Sequence, residues 1–165
     1  MTDDERLPDP VAAARALPRG SLVIIRARDA ERRRALAEAL CANSHGFILL
    51  AAADPVLAGE LHGLHLPEAR AKEAAHWRAL RPDWVITVAA HSARALHAPY
   101  ADAALLSPVF PTKSHPGARA LTPARARLIA RASGVPVIAL GGVNDRNAAL
   151  LSGFAGIAAI EALNM

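Results

Sequence analysis

The chain has 165 residues, a length typical of one domain, and 53% of them are hydrophobic, which is enough to fill a core. Aromatic residues make up only 4%, so the core must be built from Ala, Leu, Val and Ile. No apolar run is long enough to span a bilayer and the N-terminus lacks a basic-then-apolar signal, so we expect a soluble cytoplasmic protein.

The net charge is +4 and the pI is about 10.2, a balance that permits nucleic-acid binding. The arginines are nevertheless scattered over all predicted helices and aromatic residues are few, so we expect no nucleic-acid partner. The cluster at 32–34 lies near Glu31 and Glu38, which favours a solvated helix face, with binding of an anionic small molecule as the second interpretation. Cys41 is the only cysteine, which excludes an internal disulfide, and its place in a helical pattern indicates a buried small hydrophobic residue.

Short continuous apolar runs alternate with helical patterns along the chain. The runs predict strands at 22–25, 47–51, 63–66, 84–89, 103–106, 136–140 and 156–160. The predicted helices are 11–17, 30–41 capped by Asp29, 54–60, 67–80, 92–97, a helix opened by Thr122 and running to 132, and 145–151. Continuous apolar strands are typical of parallel strands buried on both faces.

Two architectures fit this pattern, a doubly wound open sheet and a (β/α)₈ barrel that is short of one strand. No GxGxxG or GxxxxGK[ST] motif follows the first strand, which argues against the usual nucleotide-binding open sheets. Polar residues cluster directly after the strands, and in a barrel these strand ends converge on the face where barrel enzymes keep their sites.

Two of these polar segments suit an anion such as phosphate. The strand at 103–106 leads to Thr112, Lys113, Ser114 and His115, whose hydroxyl, ammonium and imidazole groups can bind an anion. The strand at 136–140 ends in a pair of glycines, 141–142. Paired glycines let backbone N–H groups approach an anion, and a helix opening at 144 or 145 would add the positive end of its dipole.

Four segments together resemble the thiamine-phosphate synthase superfamily, which includes the thiazole tautomerases. They are Gly-Leu-His-Leu at 63–66, Ala-His-Ser at 90–92, Ser-Pro-Val-Phe-Pro-Thr at 107–112 and Pro-Val-Ile-Ala-Leu-Gly-Gly-Val at 136–143. The resemblance implies a (β/α)₈ barrel. It also implies a reaction that joins a hydroxymethylpyrimidine diphosphate to a thiazole phosphate and releases pyrophosphate with the help of Mg²⁺.

The resemblance also implies roles for individual residues on the anion-binding side of the site. The two basic positions of the family's second strand fall on Arg26 and Arg28, which would act on the pyrophosphate. Thr112 keeps its place, and the lysine expected after it falls on His115, with Lys113 close by. The phosphate-binding backbone falls on Gly141, Gly142 and Ile160, although Glu161 follows the last of these.

The metal-binding side matches less well. The Asn-Asp pair whose Asp holds Mg²⁺ in the family falls on Ala52 and Ala53, which leaves neighbouring Asp54 as the local carboxylate. The second carboxylate of the family is replaced, with Glu68 as its nearest substitute. The catalytic histidine of the tautomerases falls on Pro108, so that reaction loses its acid–base group. We expect His65 and His91 to pack or to form local hydrogen bonds.

The ends of the chain are short for this fold, which usually needs at least about 200 residues. We therefore expect a barrel without its first strand and its last helix, in which Thr2 and Asp3 are the tail of the missing strand. Exposed strand edges would then be covered by a second copy of the chain or by an N-terminal segment. Two functions stay open: a synthase-like transferase acting on a phosphorylated heterocycle, and a non-catalytic or regulatory member that binds a phosphorylated metabolite.

Overall fold

The computed structural model describes residues 1–3, 7–43, 46–112 and 120–160. The chain divides into two compact units, of which the first contains Met1–His65 and Ile160, and the second contains Leu66–Ala159. All paired strands within each unit run parallel, as the continuous apolar runs predict.

The first unit is built on parallel strands with short helices between them. In chain order its elements are α1 (Pro10–Arg15), β1 (Leu22–Ile25), α2 (Ala30–Ala42), β2 (Ile48–Ala52), α3 (Pro55–Ala58) and β3 (Gly63–Leu66). β2 pairs with both neighbours, with Leu22 opposite Ile48 and Leu50 opposite Gly63. The strand side chains are buried on both faces, and each fully buried Leu or Ile contributes about 1.5–3 kcal/mol.

The N-terminal residues lie along the outer edge of β1. The Thr2 N–H donates to the Ile24 carbonyl at 2.9 Å, and the Thr2 hydroxyl bonds both the N–H and the carbonyl of Arg26, at 2.7 and 2.8 Å. Thr2 is buried, so these bonds form out of contact with water. Thr2 therefore pairs with the end of β1 and with the residue that follows it.

The second unit continues the alternation. Its elements are a 3₁₀ helix (Glu68–Glu73) leading into α4 (Ala74–Leu80), β4 (Val85–Ala90), a 3₁₀ helix (Ala93–Leu96), β5 (Ala103–Leu106), α5 (Pro123–Arg131), β6 (Val137–Ala139), a 3₁₀ helix (Ala148–Leu151) and β7 (Gly156–Ile157). The strands pair in sequence order from β4 to β7. Loops that follow neighbouring strands in this unit therefore leave the sheet at the same edge.

Several predicted elements need correction. The helix predicted at 67–80 begins as a 3₁₀ helix, and those predicted at 92–97 and 145–151 are short 3₁₀ helices. The strand predicted at 156–160 ends at Ile157, although the Ala158 N–H still donates to the Ala139 carbonyl at 2.8 Å. Thr122 stands at the N-cap position and opens α5 as predicted, but it has φ 64° and its side chain makes no cap hydrogen bond. Asp29 does cap α2, accepting from the Arg32 N–H at 2.9 Å.

Cys41 is exposed, so the prediction that it is buried is wrong. In α2 the buried side chains are Ala37 and Leu40, whereas Cys41 shares the exposed face of Arg34 and Glu38 at helical spacing. Within the described ranges, no helix is long and apolar enough to cross a membrane.

Candidate functional site

In the second unit, the loops after β5 and β6 are joined through their backbones. The Leu140 N–H donates to the Leu106 carbonyl at 2.9 Å, which extends the ladder past β6. Beyond it, the Val109 N–H donates to the Leu140 carbonyl and the Phe110 N–H donates to the Gly141 carbonyl, each at 3.0 Å. The two segments with the strongest family resemblance therefore form one continuous structure at the carboxyl end of the strands.

This junction explains why both residues that follow Leu140 are glycine. Gly141 has φ +93°, and a Cβ there would lie 2.8 Å from the Pro108 Cα. Gly142 has φ +65°, and a Cβ there would lie 2.5 Å from the Pro111 carbonyl oxygen and 2.8 Å from the Phe110 Cβ. The left-handed backbone and the close packing each favour glycine. The pair is thus required by contact between two loops, which sequence reasoning about anion access did not foresee.

The same glycines also present backbone donors. Among the hydrogen bonds of the described residues, the N–H groups of Gly141 and Gly142 have no acceptor, and both residues are partly exposed. The Asn147 side chain fixes this loop by two hydrogen bonds. Its amide nitrogen donates to the Gly142 carbonyl at 2.8 Å, and its oxygen accepts from the Asn144 N–H at 2.9 Å. Two adjacent N–H donors on a fixed loop can bind an anion.

The helix-dipole contribution predicted for this loop is wrong. The helix that follows is a 3₁₀ helix that begins only at Ala148, because residues 144–147 are used in the side-chain turn. Thr112 is partly buried at the end of a described range. Lys113 and His115, predicted as anion-binding or catalytic, lie outside the described residues. Ile160 is partly buried and lies beyond the end of β7.

Glu68 and His91, both in the second unit, lie together at the end of β4. A Glu68 carboxylate oxygen accepts from the His91 N–H at 2.6 Å. The His91 Nδ1 lies 3.0 Å from the Ser107 carbonyl oxygen. The Ser107 hydroxyl oxygen lies 3.3 Å from the same Nδ1. The expectation that His91 forms local hydrogen bonds is confirmed. Glu68 accepts a hydrogen bond from the backbone of the turn after β4.

In the first unit, arginine side chains gather at the carboxyl ends of β1 and β2. Arg26 and Arg28 follow β1 directly and are exposed. The Arg26 guanidinium lies 3.8 Å from the Asp3 carboxylate, a separation that allows attraction but no strong hydrogen bond. The predicted basic positions are therefore accessible.

Arg33 is a third arginine at this end of the unit and belongs to the cluster at 32–34, for which the sequence favoured a solvated helix face over an anion site. Its Nε donates to an Asp54 carboxylate oxygen at 3.1 Å, and its Nη1 donates to the Ala27 carbonyl at 2.9 Å. Only 20% of the Arg33 side chain is exposed, so it does not belong to a solvated helix face. The sequence could have indicated this role, because Arg33 lies in the first turn of the helix that follows β1 and is therefore near the carboxyl end of that strand.

The carboxylates that were candidates for Mg²⁺ do not fit that ion. Both Asp54 oxygens are occupied, one capping α3 through the Leu57 N–H at 3.0 Å and the other bonded to Arg33. Glu68 uses one oxygen on the His91 N–H. Mg²⁺ takes near-octahedral oxygen ligands, and the positive charge of Arg33 bonded to Asp54 opposes a cation at that carboxylate. In the ranges that the structure describes, no three acidic, His or Cys side chains are grouped to hold a metal ion.

His65 is a buried histidine of the first unit. It lies in β3 with 7% of its surface exposed. Burial, and then the positive charges of the N-terminal amino group and Arg26, lower the pKa of His65 to about 4. At neutral pH the ring is therefore uncharged, and the expectation that His65 is a packed residue is confirmed.

Comparison with solved structures defines the fold class. Thiamine phosphate pyrophosphorylase from Pyrococcus furiosus matches with a TM-score of 0.74 over 96% of this chain and 82% of that chain. At 21% sequence identity this likeness concerns the fold alone. The predicted fold class, that of the thiamine-phosphate synthases, is confirmed.

Sequence comparison defines the family. The thiamine monophosphate synthase family model matches residues 2–163, so the chain belongs to this family. A curated protein of Aquifex aeolicus, named "Putative thiamine-phosphate synthase 2", is 34% identical over 93 residues, which cover 54% of this chain and 50% of that protein. The match thus spans about half the length of the curated relative.

Proposed function

We propose that this protein is a thiamine-phosphate synthase-like transferase in thiamine biosynthesis. It would join a hydroxymethylpyrimidine diphosphate to a thiazole phosphate. In this reaction the bond between the pyrimidine methylene carbon and the diphosphate oxygen breaks with the electron pair leaving on pyrophosphate. The thiazole nitrogen then forms the new C–N bond with its lone pair. Such a reaction needs positive charge at the leaving group and a fixed binding site for the second phosphate.

One observation carries the proposal: this chain belongs to the family, and its loops after β5 and β6 are joined at the paired glycines. Gly141 and Gly142 offer two N–H donors on a loop that the β5 loop supports from the side. Such a site suits a phosphate group, and we assign it to the phosphate of the thiazole. Arg26 and Arg28 are exposed after β1 and suit the pyrophosphate. Thr112, Lys113, His115 and Ile160 stay proposed ligand contacts.

A second candidate function follows from the occupied carboxylates. Asp54 is engaged by Arg33 and by its own helix, and the described part of the chain groups no set of side chains that could hold the Mg²⁺ for departure of pyrophosphate. This observation favours a non-catalytic or regulatory member that binds a phosphorylated metabolite. The two functions share the ligand class and differ only in turnover.

The test is an assay for pyrophosphate release by the purified full chain with both substrates present, combined with detection of thiamine phosphate. Turnover that needs both substrates supports the transferase. A rise in melting temperature with thiamine phosphate, without turnover, supports the binding protein. If the chain shows no turnover and no thermal shift, both proposed functions are contradicted. Gly142→Ala is the site variant and Gly153→Ala, at an open loop position with φ +96°, is its control.

A further inference from the structure

Arg33 is held in one orientation by neighbours on two loops. Its Nε bonds Asp54 in the loop after β2, and its Nη1 bonds the Ala27 carbonyl in the loop after β1. Ala27 is buried, so this anchor is shielded from water. A guanidinium fixed at two points loses little further freedom when it binds a ligand.

The Arg33 guanidinium keeps donors available for that ligand. Of its five N–H bonds, one on Nε and one on Nη1 are used, and Nη2 donates to no acceptor among the described residues. The side chain is 20% exposed, so a small anion can reach it while most of the group stays out of water. Both bonded loops lie at the carboxyl ends of parallel strands, where ligands of such folds bind.

The charges around Arg33 favour an anion over a cation. Arg26, Arg28 and Arg33 bring three positive charges to this end of the first unit, where Asp29 caps α2 and the other carboxylates described nearby are those of Asp3 and Asp54. Both carboxylates have an arginine within 4 Å, at 3.8 and 3.1 Å. A divalent cation entering here would have to displace Arg33 from Asp54 and would meet two further guanidinium groups.

We propose that Arg33 acts in place of a divalent cation, binding the pyrophosphate or phosphate group of an anionic ligand together with Arg26 and without Mg²⁺. This inference deepens the proposed function, since pyrophosphate is the leaving group of that reaction. It assigns Asp54 a supporting role, because its carboxylate orients Arg33 and caps α3.

The direct test is calorimetric titration of the full chain with inorganic pyrophosphate in the presence of EDTA. We expect saturable binding, weakened about tenfold or more by Arg33→Gln because a charge-assisted hydrogen bond is lost. Arg34→Gln is the matched control, since Arg34 lies on the same helix but pairs with Glu60 at 2.9 Å. The control should bind within about twofold of the unmodified chain.

Arg33→Gln leaves Asp54 without its partner and could destabilise the unit, so a second variant is needed. Arg33→Gln combined with Asp54→Asn removes both charges while Asn retains the capping oxygen. It should fold and show the same weak binding, whereas Asp54→Asn alone keeps the Arg33 charge and should bind more tightly than the double variant. Wild-type-like binding by the double variant would overturn the proposal.

A titration with Mg²⁺ alone separates this proposal from the proposed function. We expect no saturable Mg²⁺ binding at concentrations up to about 1 mM, a limit that matches the weak end of the affinities of protein calcium sites. Saturable Mg²⁺ binding that Asp54→Asn abolishes, or failure of pyrophosphate to bind in EDTA, would refute the role of Arg33. Failure of turnover alone contradicts the transferase but leaves these binding results unaffected.

Discussion

Replacing Gly142 with alanine should loosen the junction between the β5 and β6 loops. At φ +65° the left-handed backbone conformation costs an alanine about 1–2 kcal/mol of folding free energy relative to glycine. Its Cβ would also lie 2.5 Å from the Pro111 carbonyl oxygen and 2.8 Å from the Phe110 Cβ, so the loops must separate. Overpacking of this kind costs about 1–3 kcal/mol, which gives a total loss of about 2–5 kcal/mol.

Gly153→Ala isolates the two contributions. Gly153 has φ +96° but a Cβ there would meet no atom within 4 Å, so only the backbone term of about 1–2 kcal/mol applies. Urea unfolding at equilibrium measures the free energy of unfolding of both variants and of the unmodified chain. Equal losses in the two variants would refute the reasoning, because they would show that contact with the β5 loop contributes nothing to the requirement for glycine.

Three further predictions concern the first unit. The free energy of unfolding should fall by up to about 3 kcal/mol as pH drops from 6.5 towards 4, because the unfolded state protonates His65 first; urea titrations at several pH values should show a shallower fall for His65→Gln. Asp54→Ala should lower stability by about 1–3 kcal/mol, since it removes the α3 cap and the Arg33 partner, and Asp54→Asn should lower it less; a thermal unfolding series showing equal losses would contradict this. Ala53 has φ 57°, so Ala53→Gly should raise the urea midpoint by the equivalent of up to about 1 kcal/mol, whereas Ala52→Gly in β2 should lower it.

The sheet was predictable because its strands are continuous apolar runs between residues that disfavour strands. The runs at 22–25, 63–66 and 103–106 match β1, β3 and β5 without change. Helix type was harder, since the segment at 68–73 has helical composition and yet forms 3₁₀ turns. The choice between 3₁₀ and α hydrogen bonding depends on packing with the sheet, which local propensity does not encode.

The site was predictable at the level of segments and less so at the level of contacts. The glycine pair and the arginines after β1 stand at strand ends, which the alternation of strands and helices locates. The direction taken by a long side chain depends on neighbours distant in sequence, and Arg33 turns towards an aspartate 21 residues away. The reason for glycine at 142 likewise lies in Pro111 and Phe110, which belong to another loop.

The backbone hydrogen bonds between the β5 and β6 loops fix the number of residues in the β5 loop more strictly than they fix the identity of its side chains. The N–H groups of Val109 and Phe110 find their acceptors only in one register, one residue apart on each side. An inserted or deleted residue between Leu106 and Val109 would break both bonds and bring a different side chain against Gly142. Variation among related sequences is therefore expected as substitution within this segment, with insertions confined to positions outside it.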